Sequence, residues 1–305
     1  MLRLAALLML TATPALANDS MAGLPASGLV LHTTDDVEMR SEVLHIASDR
    51  VTVDYVFHNH SAADIPTIVA FPLPDLDVDF YGPDRAGMLD DPGHMDFTVT
   101  VGGNPVTPNL QSRALLAGVD VTERLTALRI PINPLEAAPV LAALPADQRV
   151  QIRDLVMPDG EPRWLLSRAW WWNQTFPAGR DLAVHHSYKP DPTLSIAGGT
   201  YRADDPHYAD VCIDDSFHNA ARRMFPDGSG GIETRLDYIL TTGANWRGPI
   251  GDFTLIVDKP TPDSLVSFCG SGVEKISPTR FQMRLQDFTP SRDLSVMWLT
   301  KYAPE

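Results

Sequence analysis

The sequence predicts a mainly β fold: antiparallel, sandwich-like sheets with an α-helical insert and one further short helix. Three observations carry the prediction. Val51, Val53, Tyr55 and Phe57 fall on one face of a run, and the same alternation recurs at Leu182, Val184, His186 and Tyr188, at Phe253, Leu255 and Val257, at Phe281, Met283 and Leu285, and at Leu294, Val296 and Trp298. A period of two with one apolar face marks a half-buried antiparallel strand. Turn-forming residues bound several of these runs, and one central stretch switches to helical spacing.

The elements follow in order. Met1-Leu2-Arg3 gives a charged start, Leu4 to Leu10 is unbroken apolar, Ala15-Leu16-Ala17 is small-x-small, and Asn18-Asp19-Ser20 is polar. Residues 1–17 therefore read as a secretory signal. The apolar run is too short to span a bilayer, which needs about 18 residues. This predicts cleavage near Ala17 and a periplasmic or extracellular protein with no membrane anchor.

Residues 18–118 form an N-terminal β region. Ser48-Asp49 turns into the strand at 51–57, and Asn59-His60-Ser61-Ala62-Ala63-Asp64 turns out of it. A strand over residues 65–71 stops at Pro72-Leu73-Pro74, because proline cannot donate to a ladder. Phe97, Val99 and Val101 precede the turn at Gly102-Gly103-Asn104.

Residues 119–158 form the helical insert. Leu125, Leu128, Leu135, Val140, Leu141 and Leu144 recur at helical intervals, Pro134 and Pro145 suit first-turn positions, and residues 148–155 read as one more short helix. The insert is too small for a core of its own. Residues 159–305 return to β, with a surface helix over 216–225 capped by Asp214, Asp215 or Ser216.

The chain has 305 residues, 44% apolar content and a formal charge of −15. That length and composition can bury a real core. The acidic balance argues against nucleic acid and against anionic lipid, both of which demand clustered Lys and Arg. Gly-x-Ser-x-Gly, Walker, His-Glu-x-x-His and Cys-x-x-Cys patterns are absent. The familiar hydrolase, NTPase, zinc-protease and thiol-oxidoreductase chemistries are therefore disfavoured.

The candidate sites are few. Cys212 and Cys269 are an even pair in a chain with an export signal, so a disulfide is expected, with two buried free thiols as the alternative. The bridge would stabilise the fold by about 4 kcal/mol in the chain-entropy model. His207, Asp210, Cys212, Asp214, Asp215 and His218 form the densest group of potential ligands. Asp210, Cys212 and Asp214 could share a strand face, but a metal site there needs the thiolate that a disulfide removes. Asp75, Asp77 and Asp79 alternate along the chain and could hold calcium if extended, although the spacing is not that of an EF-hand loop. No other cofactor is expected. His185 and His186 are strand neighbours, so they point to opposite faces and cannot chelate one metal together. His186 should be a satisfied core residue and His185 should face outward. Trp170, Trp171 and Trp172 follow the same rule: a strand cannot turn all three into one core, so one face offers a platform unless the helical insert covers it.

Several segments occur in one order: Thr34-Asp35-Asp36-Val37-Glu38-Met39, Val69-Ala70-Phe71-Pro72-Leu73-Pro74, the run from Trp172 to Gly179, the run from Thr241 to Gly251, Val266-Ser267-Phe268-Cys269-Gly270, and Asp287-Phe288-Thr289-Pro290. Together they resemble the bacterial exported family called domain of unknown function 4424. The resemblance covers nearly the whole chain and implies export, with Cys212 and Cys269 as recurring cysteines. It brings no catalytic residues. Residues 51–74 are also similar to β domains of the vault and inter-trypsin-inhibitor type, which speaks to fold only.

The sequence thus points to a non-enzymatic exported β protein that binds a cell-envelope or extracellular protein or glycan. Two alternatives stand beside it. One is an enzyme with its site near Trp170, Trp171 and Trp172 or near the Cys212 acidic segment. The other is a calcium-stabilised structural module.

Overall fold

The computed structural model describes residues 18–24, 29–76, 92–197 and 201–302. The largest sheet has eight strands, in the spatial order β16 (Glu274–Lys275), β17 (Arg280–Phe288), β14 (Ile250–Asp258), β3 (Val37–Ile46), β4 (Val51–Asn59), β11 (Asp181–Tyr188), β6 (Thr98–Val101) and β7 (Asn104–Val106). A six-stranded sheet runs β2 (Val30–His32), β1 (Ser20–Gly23), β5 (Ile65–Pro72), β10 (Leu165–Phe176), β8 (Asn109–Leu116) and β9 (Val119–Asp120). A four-stranded sheet runs β12 (Thr193–Ala197), β13 (Gly231–Tyr238), β18 (Leu294–Thr300) and β15 (Leu265–Phe268). The β3–β14 pair is parallel and the other pairs described here are antiparallel.

The eight-stranded sheet forms one layer, and the two smaller sheets share the other. Val51, Val53, Tyr55 and Phe57 line the inner face of β4, as the alternation predicts. They join one continuous core with Phe71, Trp172 and Phe176 of the six-stranded sheet and with Tyr238, Val296 and Trp298 of the four-stranded sheet. The fold is mainly β and sandwich-like, as the sequence predicts.

The helical insert consists of α1 (Thr122–Ala127), α2 (Pro134–Ala143) and α3 (Ala146–Gln151). Pro134 opens α2 at its first turn, with Asn133 as the cap, whereas Pro145 is itself the cap of α3. The third helix starts and ends earlier than expected. Leu125, Ala137, Leu141, Ile152 and Leu155 pack with Ala114 of β8 and with Trp164 just before β10. The insert therefore covers one end of the six-stranded sheet. A further α-helix, α4 (Asp215–Met224), is capped by Asp214 and lays Phe217 and Ala221 on the outer face of the four-stranded sheet, against Met297 and Leu299.

Candidate functional site

The phase of strand β3 decides where buried charge sits. Its inward residues are Val37 and Met39, then Glu42, Leu44 and Ile46. The phase slips because pairing with β4 jumps from Met39–Phe57 to Ser41–Val56, leaving Arg40 as a bulge. A bulge adds a residue to one strand and re-aims those beyond it. Gly251 in β14 makes room for it, since a Cβ there would stand 2.6 Å from the Arg40 carbonyl oxygen. A glutamate is thereby aimed into the sandwich interior.

Glu42 meets residues 18–20 there. Asn18 Nδ2 donates to Glu42 Oε2 over 3.1 Å, and the Asn18 backbone N–H donates to Thr242 Oγ1 over 2.6 Å. The Thr242 hydroxyl donates in turn to the Asn18 carbonyl. Tyr55 donates its hydroxyl to Asn18 Oδ1, and the Tyr238 hydroxyl lies 3.3 Å from that of Tyr55. The Trp246 indole N–H donates to the Asp19 carbonyl over 2.8 Å, and Asn245 Nδ2 donates to Ser20 Oγ over 3.0 Å. All three sheets contribute to this polar centre.

The centre is sealed and short of partners. Asn18, Asp19, Ser20, Glu42, His186 and Thr242 are fully buried. Both carboxylate oxygens of Asp19, Oε1 of Glu42 and both ring nitrogens of His186 make no hydrogen bond. His186 Nε2 stands 3.5 Å from Asp19 Oδ2. His186 is therefore a core residue, as expected, but not a satisfied one, because Tyr55, Phe71 and Trp172 pack around its ring. Burial pushes the Glu42 carboxyl up to about 8, against the Asn18 hydrogen bond, which lowers it. Burial, and then the charge of Glu42, raise Asp19 well above the ordinary carboxylate range. Burial, and then the charge of His185, lower the His186 imidazole to about 3. Low-dielectric surroundings disfavour every charged form here.

The tryptophan triplet lies on β10 and divides between the faces as strand geometry requires. Trp172 points inward, is buried, and donates its indole N–H to Gln174 Oε1 over 2.9 Å. Trp170 also points inward and stacks on Phe97 at 5.3 Å. Trp171 points outward and is half-buried beside Leu31, Ile68, Ala70 and Ala22. The helical insert, the alternative cover for this face, is not what packs on it. Strands β1, β2 and β5 supply its neighbours instead. Pro66, Asn173 and Thr175, on the same outer face, are exposed and rim an open trough.

The other predicted residues are spread apart. Exposed His185 pairs with Asp54, Nδ1 to Oδ1 over 2.8 Å. Cys212 and Cys269 have their sulfurs 2.04 Å apart, at disulfide distance. Asp210, Cys212 and Asp214 do not share a strand face. They lie in turns, where Asp214 caps α4 and Asp210 stands 3.5 Å from Arg235. Asp77 and Asp79 lie outside the described residues. Burial raises the Asp75 carboxyl, while Ser167, Arg113 and Arg168 nearby lower it, so this aspartate is not on a solvated strand face. Among the described residues no group of three or more His, Cys, Asp and Glu could hold a metal.

A family model described as Domain of unknown function (DUF4424) matches residues 17–297. The chain belongs to that family. In this DUF4424 chain four of the six segments that carry the resemblance meet at the polar centre. The Thr241-to-Gly251 run clasps residues 18–20 and accommodates the Arg40 bulge. Its Asn245 carbonyl accepts from Thr34 N–H and its Arg247 N–H donates to Val37, which ties in the Thr34-to-Met39 segment. Phe71 and Trp172 come from two further segments and touch His186.

Comparison with curated proteins gives no match. A solved Legionella pneumophila protein, provisionally named a nutrient binding protein, is similar at 16% identity and a TM-score of 0.49, over 94% of this chain and 72% of that one. An M1 zinc metallopeptidase from Deinococcus radiodurans is similar at 9% identity and a TM-score of 0.31, over 87% of this chain and 43% of the peptidase. Likenesses at this level carry no argument about function. No helix among the described residues is long and apolar enough to cross a membrane.

Sequence reasoning misses Glu42, Asp19, Asn18, Thr242 and Tyr238 as a group. The one signal for Glu42 is the broken alternation between Met39 and Leu44.

Proposed function

We propose that this DUF4424 chain is an exported binding module, cleaved near Ala17, that recognises a cell-envelope or extracellular glycan through the outer face of its six-stranded sheet. The observation that carries this reading is the half-buried Trp171 on a face whose rim is open. An indole offers an apolar surface for the C–H face of a sugar ring. Farther along the same outer face, exposed Asn173 carries an amide and Thr175 a hydroxyl, which suit sugar hydroxyls. A glycan fits such a shallow, mixed surface better than an aliphatic chain, which prefers an enclosed pocket.

Catalysis finds less support. Among the described residues the most perturbed acids, Asp19 and Glu42, and the buried His186 are sealed from solvent. Two open clefts flank the disulfide: a 310 Å³ one lined mainly by Phe253, Leu255, Met283, Leu285 and Phe288, and a 430 Å³ one whose charged residues, Asp214, Lys259 and Lys275, include one that caps α4 and one whose ammonium is held by the Pro262 and Ser264 carbonyls. The test is titration of the oxidised protein with chitooligosaccharides and sedimentation with purified peptidoglycan. Binding that falls at least about tenfold in Trp171→Ala supports the reading. Absence of binding to both, or unchanged binding in the variant, overturns it.

A further inference from the structure

The polar centre raises a charge question. Two carboxylates, Asp19 and Glu42, are fully buried about one residue, Asn18. Among the described residues no lysine or arginine pairs with either, and three of their four oxygens lack any hydrogen bond. Tyr55 from β4, His186 from β11 and Tyr238 from β13 complete the surroundings, and burial keeps all three uncharged at neutral pH. A site with this much latent negative charge and no cation calls for one.

The expected cleavage point supplies it. Hydrolysis of the Ala17–Asn18 peptide bond adds water across it. The Ala17 carboxylate leaves with the leader, and the Asn18 nitrogen becomes an α-ammonium. That nitrogen is already held by Thr242 Oγ1 at 2.6 Å, while the Asn18 side chain is held by Glu42 and Tyr55. We propose that the buried acidic nest formed by Asp19, Glu42 and Thr242 is the receptor for the α-ammonium created at Asn18, so that leader removal completes the core electrostatically. The inference rests on the export reading, specifically on cleavage after Ala17.

The pH dependence gives the sign. Without the ammonium, the Glu42 pKa is raised in the folded state, from 4.5 to about 8. That contribution to stability is fully present below pH 4.5 and is lost as pH rises through 8. Asp19 shifts in the same direction. A buried ammonium favours both carboxylates in their charged form and removes this alkaline loss until the amine itself deprotonates.

Intact mass of the exported protein first locates the cut. A mature chain starting elsewhere than Asn18 refutes the cleavage on which the inference rests, and with it the inference. Glycan binding is read separately and does not bear on this step. Two oxidised chains are then compared, one starting at Asn18 and one carrying Gly-Ser before it. The Asn18 chain should melt at least about 4 °C higher at pH 8, with the gap closing at pH 5. Its α-amine should be acylated at least about 100-fold more slowly than that of the unfolded chain, since reaction requires opening. In Glu42→Gln the pH 8 gap should shrink. If that variant does not fold, the wild-type amine reactivity decides alone. Equal melting at pH 8, or an amine that reacts as in an unfolded peptide, overturns the proposal. So does equal stabilisation of the extended chain by added calcium chloride, which would make the nest a metal site.

Discussion

Trp172 and Trp171 share a peptide bond and lie in opposite environments. Trp172 is enclosed by the rings of the sandwich core and spends its N–H on Gln174. Trp171 rests on small and aliphatic side chains and shares its outward face with exposed Asn173 and Thr175. The strand that separates them therefore divides two kinds of work. Inward residues are committed to the fold, because a buried group must find its partners within the protein. Outward residues keep part of their surface in water and can exchange it for a partner.

The sharpest way to break this comparison is to truncate both rings. Trp172→Ala should cost about 3–5 kcal/mol, the range for a buried Trp in a packed core, read as the denaturation midpoint. Trp171→Ala should cost much less. Similar losses at the two positions would mean that the outer face is core as well.

The disulfide ranks next. Its partners are 57 residues apart and tie the turn before α4 to the end of β15. Cys269→Ser should lower stability by about 4 kcal/mol at most by the loop-entropy estimate, without altering any property of the Trp171 face. A change in ligand binding without a change in melting temperature would place function near the bridge instead.

A smaller and conditional effect is expected at His186. Its pKa falls from 6.5 to about 3 on folding, chiefly through burial. A depressed histidine contributes stability that is fully present above pH 6.5 and is lost as pH falls toward 3. His186→Leu forfeits no hydrogen bond, because neither ring nitrogen makes one. The variant should therefore gain relative stability only in acid, on the order of 3 kcal/mol at pH 4. Urea titrations at pH 7.5 and pH 4 give the comparison, and an equal effect at both values would show that the imidazole does not titrate with unfolding.

How far the sequence reveals these regions depends on what creates them. Parity along β10 follows from strand geometry alone, so the split of Trp170 and Trp172 from Trp171 is legible. The alternation in β4 is legible for the same reason. Strand β13 carries the same signal, with Ile232, Thr234, Leu236 and Tyr238 alternating against Glu233, Arg235 and Asp237, but the burial of Glu233 on its outer face is not legible, because the residues that cover it come from elsewhere in the chain. The polar centre is hidden more deeply. Glu42 turns inward only because of the Arg40 bulge, and the bulge needs Gly251. Asn18 meets Thr242 across 224 residues of chain. No local pattern records such a meeting.

In this molecule the outer face of the six-stranded sheet binds and the inner face holds the fold. Affinity for chitooligosaccharide or peptidoglycan and the melting temperature, measured on the same Trp171→Ala sample, test it most directly. The variant should lose at least about tenfold in affinity, with a stability loss of no more than about 1–2 kcal/mol. Unchanged affinity, or a fall in affinity explained by a collapse in stability, would contradict it.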